Sequence, residues 1–178
     1  MRGFHRSAAT RLAAGFLSAG LLSACLTTPG PSGDIYLVRH AEKAAGDDPG
    51  LTEAGRRRAA ALSDRLSGAD LVRIYSTDTR RTRETAAPTA ARTGLEVDIY
   101  DPTDLRDLAR TLRAAPGDVL VVGHSDTTPA LVKRLGGAPG PEIDEAREFD
   151  RLYIISPGPR GTHTELQSYG VHLSESVR

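Results

Sequence analysis

Short runs of consecutive apolar residues alternate along this chain with longer segments in which apolar residues recur every three or four positions. The short runs are typical of strands buried on both faces, and the longer spacing is typical of amphipathic helices. We predict strands at 35–39, 71–76, 97–100, 118–123, 152–155 and 164–167. Such alternation predicts a single α/β domain, a three-layer α/β/α sandwich around a mostly parallel sheet.

Helices are predicted between most of these strands, at 52–66, 80–91, 102–114 and 128–135. Thr52 is expected to cap the first helix, and Pro88 to kink the second or end it early. Pro102 suits the first turn of the third helix. No helix fits between the last two strands, so we predict that they pair antiparallel at one edge of the sheet.

The first 24 residues combine a basic start with an apolar stretch at 12–22, which is too short to span a bilayer comfortably. The segment ends in Leu22-Ser23-Ala24-Cys25, which resembles the lipobox of bacterial lipoproteins. That resemblance implies removal of residues 1–24 and lipidation of Cys25 as the mature N-terminus. The other interpretation is a small buried cysteine in a hydrophobic helix.

Lipidation of Cys25 would place the protein outside the cytoplasm, held at a membrane by its lipid alone. Residues 25–33 are rich in turn formers and are expected to be a flexible tether for a catalytic domain at 34–178. Leu26 is not an acidic sorting residue, so the resemblance favours the outer membrane, on its periplasmic side, in a host with two membranes. Cys25 is the only cysteine, so its acylation would leave the mature protein without a free thiol and would exclude disulfides, thiol catalysis and cysteine metal sites.

Charge and aromatic content argue against a nucleic-acid partner. The chain has 23 basic and 23 acidic residues, a formal net charge of zero, and no basic stripe. With five Tyr, three Phe and no Trp, it offers no obvious stacking platform for bases.

Three segments share one layout, in which a strand is followed by polar or cationic residues and then by a helix: Val38-Arg39-His40, residues 75–82, and Val122-Gly123-His124-Ser125. The carboxyl ends of parallel strands meet at one edge of a sheet, where ligands bind in open α/β folds. That edge would collect two imidazoles, at least two guanidinium groups and helix N-termini. Such a pocket favours a phosphoryl dianion and holds a nucleophile beside it.

The motifs at 39–43 (RHAEK), 80–86 (RRTRETA) and 123–125 (GHS) resemble the three signatures of the histidine phosphatase superfamily, which has the phosphoglycerate mutase-like fold. The stretch 51–55 also resembles the start of that family's first helix. Ala41 stands where many members have glycine, Asp126 where asparagine is common, and the segment between the second and third motifs is short.

The resemblance implies a role for each matching residue. His40 would attack phosphorus and become phosphohistidine, while Arg39 and Arg81 clamp phosphate oxygens. His124 would bind the transferring group and stabilise its charge, and water would then release phosphate from His40. Arginines would neutralise charge in place of a metal, so neither a metal nor another cofactor is expected.

The sequence offers three aspartates as candidates for the general acid. Mutase-like relatives carry an acidic residue between the second arginine and the second histidine, where this chain offers Asp101, Asp104 and Asp107. We favour Asp101 over Asp104 as the general acid. The other interpretations are that Asp101 only caps a turn and that the Asp104 carboxylate stabilises the N-terminus of a helix.

The other polar residues near the motifs have structural or solvent-exposed roles as alternatives to a role in the site. Glu42 and Lys43 either order the loop over the pocket or are simply exposed, and Arg80 is expected to form a salt bridge or lie at the rim. His5 belongs to the leader, whereas His163 and His172 lie outside any motif and are expected to be exposed.

The leading hypothesis is a metal-independent phosphomonoesterase that acts on a phosphorylated small molecule or a phosphoprotein. One alternative is a phosphomutase that uses the same phosphohistidine, but the chain has little inserted sequence with which to close a pocket against water. The other is a phosphate-binding or phosphoprotein-binding lipoprotein without turnover.

Overall fold

The computed structural model describes residues 33–170. The predicted leader, Cys25 and nearly all of the tether therefore lie outside the described residues, as does His172. Ten elements follow one another in the described chain: β1 (Ile35–Arg39), α1 (Glu53–Arg65), β2 (Leu71–Ser76), α2 (Arg80–Thr93), β3 (Val97–Ile99), α3 (Leu105–Arg113), β4 (Asp118–Gly123), α4 (Thr127–Arg134), β5 (Arg151–Gly158) and β6 (Gly161–Ser168).

One six-stranded sheet, in the order β3-β2-β4-β1-β5-β6, forms the middle layer. The first four strands in that order are parallel. β4 pairs in parallel with both β1 and β2, and β2 pairs in parallel with β3. β5 runs antiparallel to β1, and β6 antiparallel to β5. The predicted mixed sheet with an antiparallel edge is confirmed.

Apolar side chains cover both faces of the sheet, which gives the predicted three layers. Leucines 62 and 66, from α1 and its C-cap, and Ala86 of α2 pack with Val38 and Val122 on one face. Leucines of α3 and α4 pack on the opposite face, in the cluster that contains Leu37 and Val121. Because β1 and β4 are apolar on both sides, they occupy the centre of the sheet.

Helix α2 is longer than its sequence predicts. It runs through Pro88 to Thr93 and ends at Gly94, which adopts a left-handed conformation with φ of 73°. Contacts with α1 hold the last turns: the Ser63 hydroxyl donates to the Pro88 carbonyl, and Arg92 donates to Ser63 Oγ and to the Leu66 carbonyl. Tertiary packing thus continues the helix past the proline, and the expected early end is wrong.

Helix α3 begins later than predicted, because Asp104 and not Pro102 sets its start. The Asp104 side chain accepts from the backbone N–H of Asp107, which is the geometry of an N-cap. Pro102 lies in the preceding turn. Tyr100 has already left β3, although its N–H still donates to the Ser76 carbonyl.

The last two strands form a tighter hairpin than predicted, reaching Gly158 and resuming at Gly161. Pro157 is tolerated within β5 because it lies beyond Ile155, the last residue that pairs with β1. Within residues 33–170, no helix is long and apolar enough to cross a membrane.

Candidate active site

The three central parallel strands bring their carboxyl ends together, as the sequence predicts. β1 ends at Arg39, β2 leads into the loop before α2, and β4 leads into His124. A cavity of about 380 Å³ lies at this edge, lined by Arg39, His40, Lys43, Arg81, Pro102, His124, Ser125, Asp126, Thr127 and Glu145. Four of the predicted site residues (Arg39, His40, Arg81 and His124) therefore share one cavity.

His40 is held in one tautomer by the backbone beside it. Its Nδ1 lies 2.8 Å from the carbonyl oxygen of Ala41, and since a carbonyl can only accept, Nδ1 carries the proton. Only 3% of the residue is exposed, and this burial, aided by the charge of Arg39, lowers its pKa to about 4 although the Ala41 hydrogen bond opposes the shift. The ring is therefore neutral at pH 7, and Nε2 keeps a lone pair for nucleophilic attack.

His124 lies edge-on to His40, with 5.5 Å between the ring centroids. Its Nε2 is 2.9 Å from Thr77 Oγ1, which donates its own proton to Thr82 Oγ1 at 3.0 Å. Nε2 is accordingly the donor to Thr77, and Nδ1 is the ring nitrogen left for a ligand. Burial, followed by the charge of Arg81, lowers the pKa of His124.

Arg39 anchors the segment that precedes β5. Its terminal nitrogens donate to the carbonyl oxygens of Glu145 at 2.9 Å and Glu148 at 3.1 Å, with Asp144 at 3.5 Å, and its Cζ lies 4.3 Å from the centroid of the Phe149 ring. Burial lowers the pKa of Arg39, and the Glu145 carboxylate partly opposes this. Its buried Nε has no partner within residues 33–170, so this nitrogen remains for a ligand.

Arg81 enters the cavity from the first turn of α2. Its Nη1 is 3.7 Å from Asp48 Oδ1, a loose ion pair, and its buried Nε has no partner in the described part of the chain. The preceding residue behaves differently: Arg80 is largely exposed and pairs with Glu84 at 2.7 Å, as predicted. Two guanidinium groups thus line one cavity, and each has a buried Nε without a partner among residues 33–170, which suits the binding of an anion.

Neighbouring side chains hold the loop that follows β1. The backbone N–H of Ala41 donates to Thr85 Oγ1 at 3.0 Å, which ties the loop to α2. Glu42 is not among the cavity-lining residues and forms a nearly buried, bidentate pair with Arg58 of α1, at 2.7 to 3.0 Å. Of the two interpretations of Glu42, the ordering one fits this contact, whereas Lys43 is exposed at the rim.

Neither aspartate predicted as general acid lines the cavity. Asp101 is exposed and accepts from the N–H and hydroxyl of Thr103, and these bonds lower its pKa, which favours the ionised form. Asp104 caps α3. Glu145 is the cavity carboxylate that sequence reasoning missed, because it lies in an irregular segment between α4 and β5 with no periodic or motif signal.

Thr77 is a second residue without an assigned role in the sequence, although it stands in the polar run after β2 that could have drawn attention. His163 is exposed on β6, as expected. Within the described residues, no group of three or more His, Cys, Asp or Glu side chains is arranged to hold a metal ion. The chemistry on offer is a neutral imidazole nucleophile facing two guanidinium groups and a second imidazole, which suits transfer of a phosphoryl group.

Comparison with known proteins places these motifs in a family. Residues 35–110 match the histidine phosphatase superfamily (branch 1). A protein named "Probable phosphoglycerate mutase GpmB" from Yersinia pestis is 32% identical over 154 residues, which are 78% of this chain and 70% of that protein. "Uncharacterized protein Rv0525" of Mycobacterium tuberculosis is 38% identical over 95 residues, so the match spans about half of this chain (47%) and of that relative (46%).

Solved structures share the fold at lower identity. The native mycobacterial glucosyl-3-phosphoglycerate phosphatase Rv2419c aligns with a TM-score of 0.57 and 16% identity, over 77% of this chain and 98% of that one. The protein histidine phosphatase SixA complexed with tungstate aligns with a TM-score of 0.58 and 17% identity, over 76% of this chain and 95% of that one. Motifs, fold and the extent of the sequence match agree, and the chain belongs to the histidine phosphatase superfamily.

Proposed function

We propose that the protein is a phosphomonoesterase that works through a phosphohistidine on His40 without a metal ion. The observation that carries the proposal is the state of His40, whose Nδ1 proton is committed to Ala41 and whose Nε2 is unprotonated at neutral pH. A nucleophile in that state, beside two guanidinium groups, is suited to attack a phosphoryl dianion.

In the first step, the Nε2 lone pair forms a bond to phosphorus while the bond to the ester oxygen breaks. The ring becomes cationic on phosphorylation, and the Nδ1–H bond to Ala41 stabilises that charge. The guanidinium groups of Arg39 and Arg81, each with an unpartnered Nε among the described residues, supply donors for the equatorial oxygens. The dianion also favours protonation of His124 Nδ1, which turns it into a further donor.

Water then attacks the phosphohistidine, the nitrogen–phosphorus bond breaks, and His40 is regenerated with inorganic phosphate as product. Two arginines and His124 supply the charge neutralisation that metal ions supply in other phosphoryl-transfer sites. The substrate class is a phosphorylated small molecule or a phosphoprotein. Structural neighbours named as phosphatases of either kind support both choices.

The experiment is an assay of the purified protein on a phosphomonoester in the presence of a chelator. We expect turnover, an acid-labile phosphoenzyme, and loss of kcat by more than ~1,000-fold in His40→Ala. His163→Ala is the matched control, since that histidine is exposed on β6 away from the cavity, and it should keep full activity. A phosphoenzyme that persists in His40→Ala would refute the assignment of the nucleophile.

A phosphomutase is the second candidate, favoured by the identity with a relative named as a phosphoglycerate mutase. A mutase returns the phosphoryl group to the substrate, which requires that water be kept out. Exchange of label between isomeric phosphoglycerates, faster than release of phosphate, would select it. Tight phosphate binding without turnover of any ester would instead select the non-catalytic alternative.

We further propose that the protein is a lipoprotein, lipidated at Cys25 and tethered outside the cytoplasm by residues 25–33. The lipobox-like sequence 22–25 and the single cysteine support this. Cells grown with labelled palmitate should incorporate label into the wild-type chain and not into Cys25→Ser, and the wild-type protein should fractionate with membranes. An unlabelled, membrane-free wild-type chain would refute the tether.

A further inference from the structure

Among the described residues that line the cavity, Glu145 is the one with a carboxyl group that does not cap a helix. Two carboxylates line the cavity, Asp126 and Glu145. Asp126 caps α4, and its Oδ1 accepts from the backbone N–H of Thr127 at 2.7 Å. Glu145 instead extends its side chain to Ser125, the residue after His124, whose hydroxyl donates to Glu145 Oε1.

The backbone of Glu145 is fixed even though its side chain is exposed. The carbonyl oxygen of Glu145 accepts from Arg39 Nη2 at 2.9 Å, and that of Glu148 from Arg39 Nη1 at 3.1 Å. The guanidinium group that lies beside His40 therefore also sets the distance of this segment from the nucleophile. The carboxylate acts electrostatically on both Arg39 and His124, which places it beside the phosphoryl-binding groups.

Glu145 also marks the direction in which a leaving group would extend. A second cleft of about 450 Å³, between α4 and the segment before β5, shares Ser125, Asp126 and Glu145 with the catalytic cavity. Its other walls are mostly apolar, with one cation, Lys133: Pro129, Ala130, Lys133, Pro139, Gly140, Pro141, Glu142 and Ile143. A phosphate held beside His40 with its ester group in this cleft would pass Glu145 at the boundary between the two spaces.

We propose that Glu145 is the residue that transfers protons to and from the oxygen atoms of the reaction, in place of Asp101 or Asp104. In the first step the protonated carboxyl gives its proton to the ester oxygen as the phosphorus–oxygen bond breaks, so the product leaves as an alcohol. In the second step the resulting carboxylate takes a proton from the attacking water as the nitrogen–phosphorus bond breaks. One ester and one water thus give one alcohol and one phosphate, and Glu145 is protonated again.

This role rests on the proposed phosphatase activity, and leaving-group dependence tests it. An alkyl phosphate needs a proton on its poorly leaving alkoxide, whereas 4-nitrophenyl phosphate expels a stable phenolate without one. Glu145→Gln keeps an acceptor for the Ser125 hydroxyl and removes only the transferable proton. We expect kcat/KM of Glu145→Gln to fall by ~100-fold or more for an alkyl phosphate and by less than ~3-fold for 4-nitrophenyl phosphate.

Glu96→Gln is the matched control, because Glu96 is exposed between α2 and β3 and lines neither the catalytic cavity nor the second cleft. It should leave both substrates unaffected. An equal loss for the two esters in Glu145→Gln would mean a structural effect and would overturn the proposal, as would full activity on both. If the wild-type protein hydrolyses neither ester, the proposed function itself fails; if it hydrolyses both, only the role of Glu145 is at stake.

Discussion

At the residue scale, burial of His40 sets the pH at which its imidazole is neutral, as the proposed nucleophile must be. Its pKa lies near 4 instead of 6.5, so the imidazole gains a proton only as the pH falls through about 4. We expect kcat/KM, corrected for ionisation of the substrate, to hold steady on the acid side down to about pH 5 and to decline below it. A pH–rate profile checks this. A decline centred near the ordinary histidine value would mean that the ring is not desolvated.

The ion pair between Glu42 and Arg58 contributes to the stability of the fold. The Arg58 and Glu42 side chains are 8% and 15% exposed, so removing the Glu42 carboxylate takes a bidentate anionic partner from a nearly buried cation. We expect Glu42→Ala to lower the free energy of unfolding by about 3 kcal/mol. Urea titration measures it. Glu53→Ala, which removes an exposed carboxylate from the same helix α1, should leave the midpoint unchanged.

At the scale of elements, the start of α3 decides what Asp104 does. Its carboxylate accepts from the N–H of Asp107, and it does not line the cavity. Asp104→Ala should therefore lower the free energy of unfolding by about 1 kcal/mol while leaving kcat/KM for an alkyl phosphate unchanged. A drop in kcat without a loss of stability would restore Asp104 as the proton donor.

The sequence predicts the central strands well and the ends of two helices poorly. The runs 35–38 and 119–122 consist of Ile, Leu, Val and one Tyr, so the sequence alone predicts that these strands are buried on both faces. Pro88 misleads because its local preference opposes a helix, yet Ser63 and Arg92 bind the surrounding turns. Pro102 misleads because a cap two residues later competes for the helix start. In both cases a contact distant in sequence, or a stronger local hydrogen bond, outweighs propensity.

At the scale of the whole molecule, ligand binding should stabilise the fold through groups that now lack partners. A phosphate in the cavity would engage the Nε atoms of Arg39 and Arg81, which come from two different elements. We expect inorganic phosphate at ~100 times its Kd to add about 2.7 kcal/mol to the free energy of unfolding. Thermal unfolding with increasing phosphate measures the effect.

Two adjacent arginines provide the control for this prediction. Arg81→Ala should abolish most of the stabilisation by phosphate, whereas Arg80→Ala, which removes an exposed pair with Glu84, should retain it. Equal responses of the two variants would contradict the placement of Arg81 at the anion.

The sequence by itself determined the α/β alternation and the convergence of Arg39, His40 and His124, because parallel strands with apolar runs must be central and their carboxyl ends must share an edge. The sequence also placed the second phosphate-binding arginine of the proposed site at the start of α2. Only the tertiary structure decided that Glu145 lines the cavity and that Asp101 and Asp104 do not. Glu145 lies 106 residues from Arg39, and backbone carbonyls that accept from a guanidinium group hold it there. Carbonyls are present in every residue, so no side-chain pattern along the chain encodes that contact.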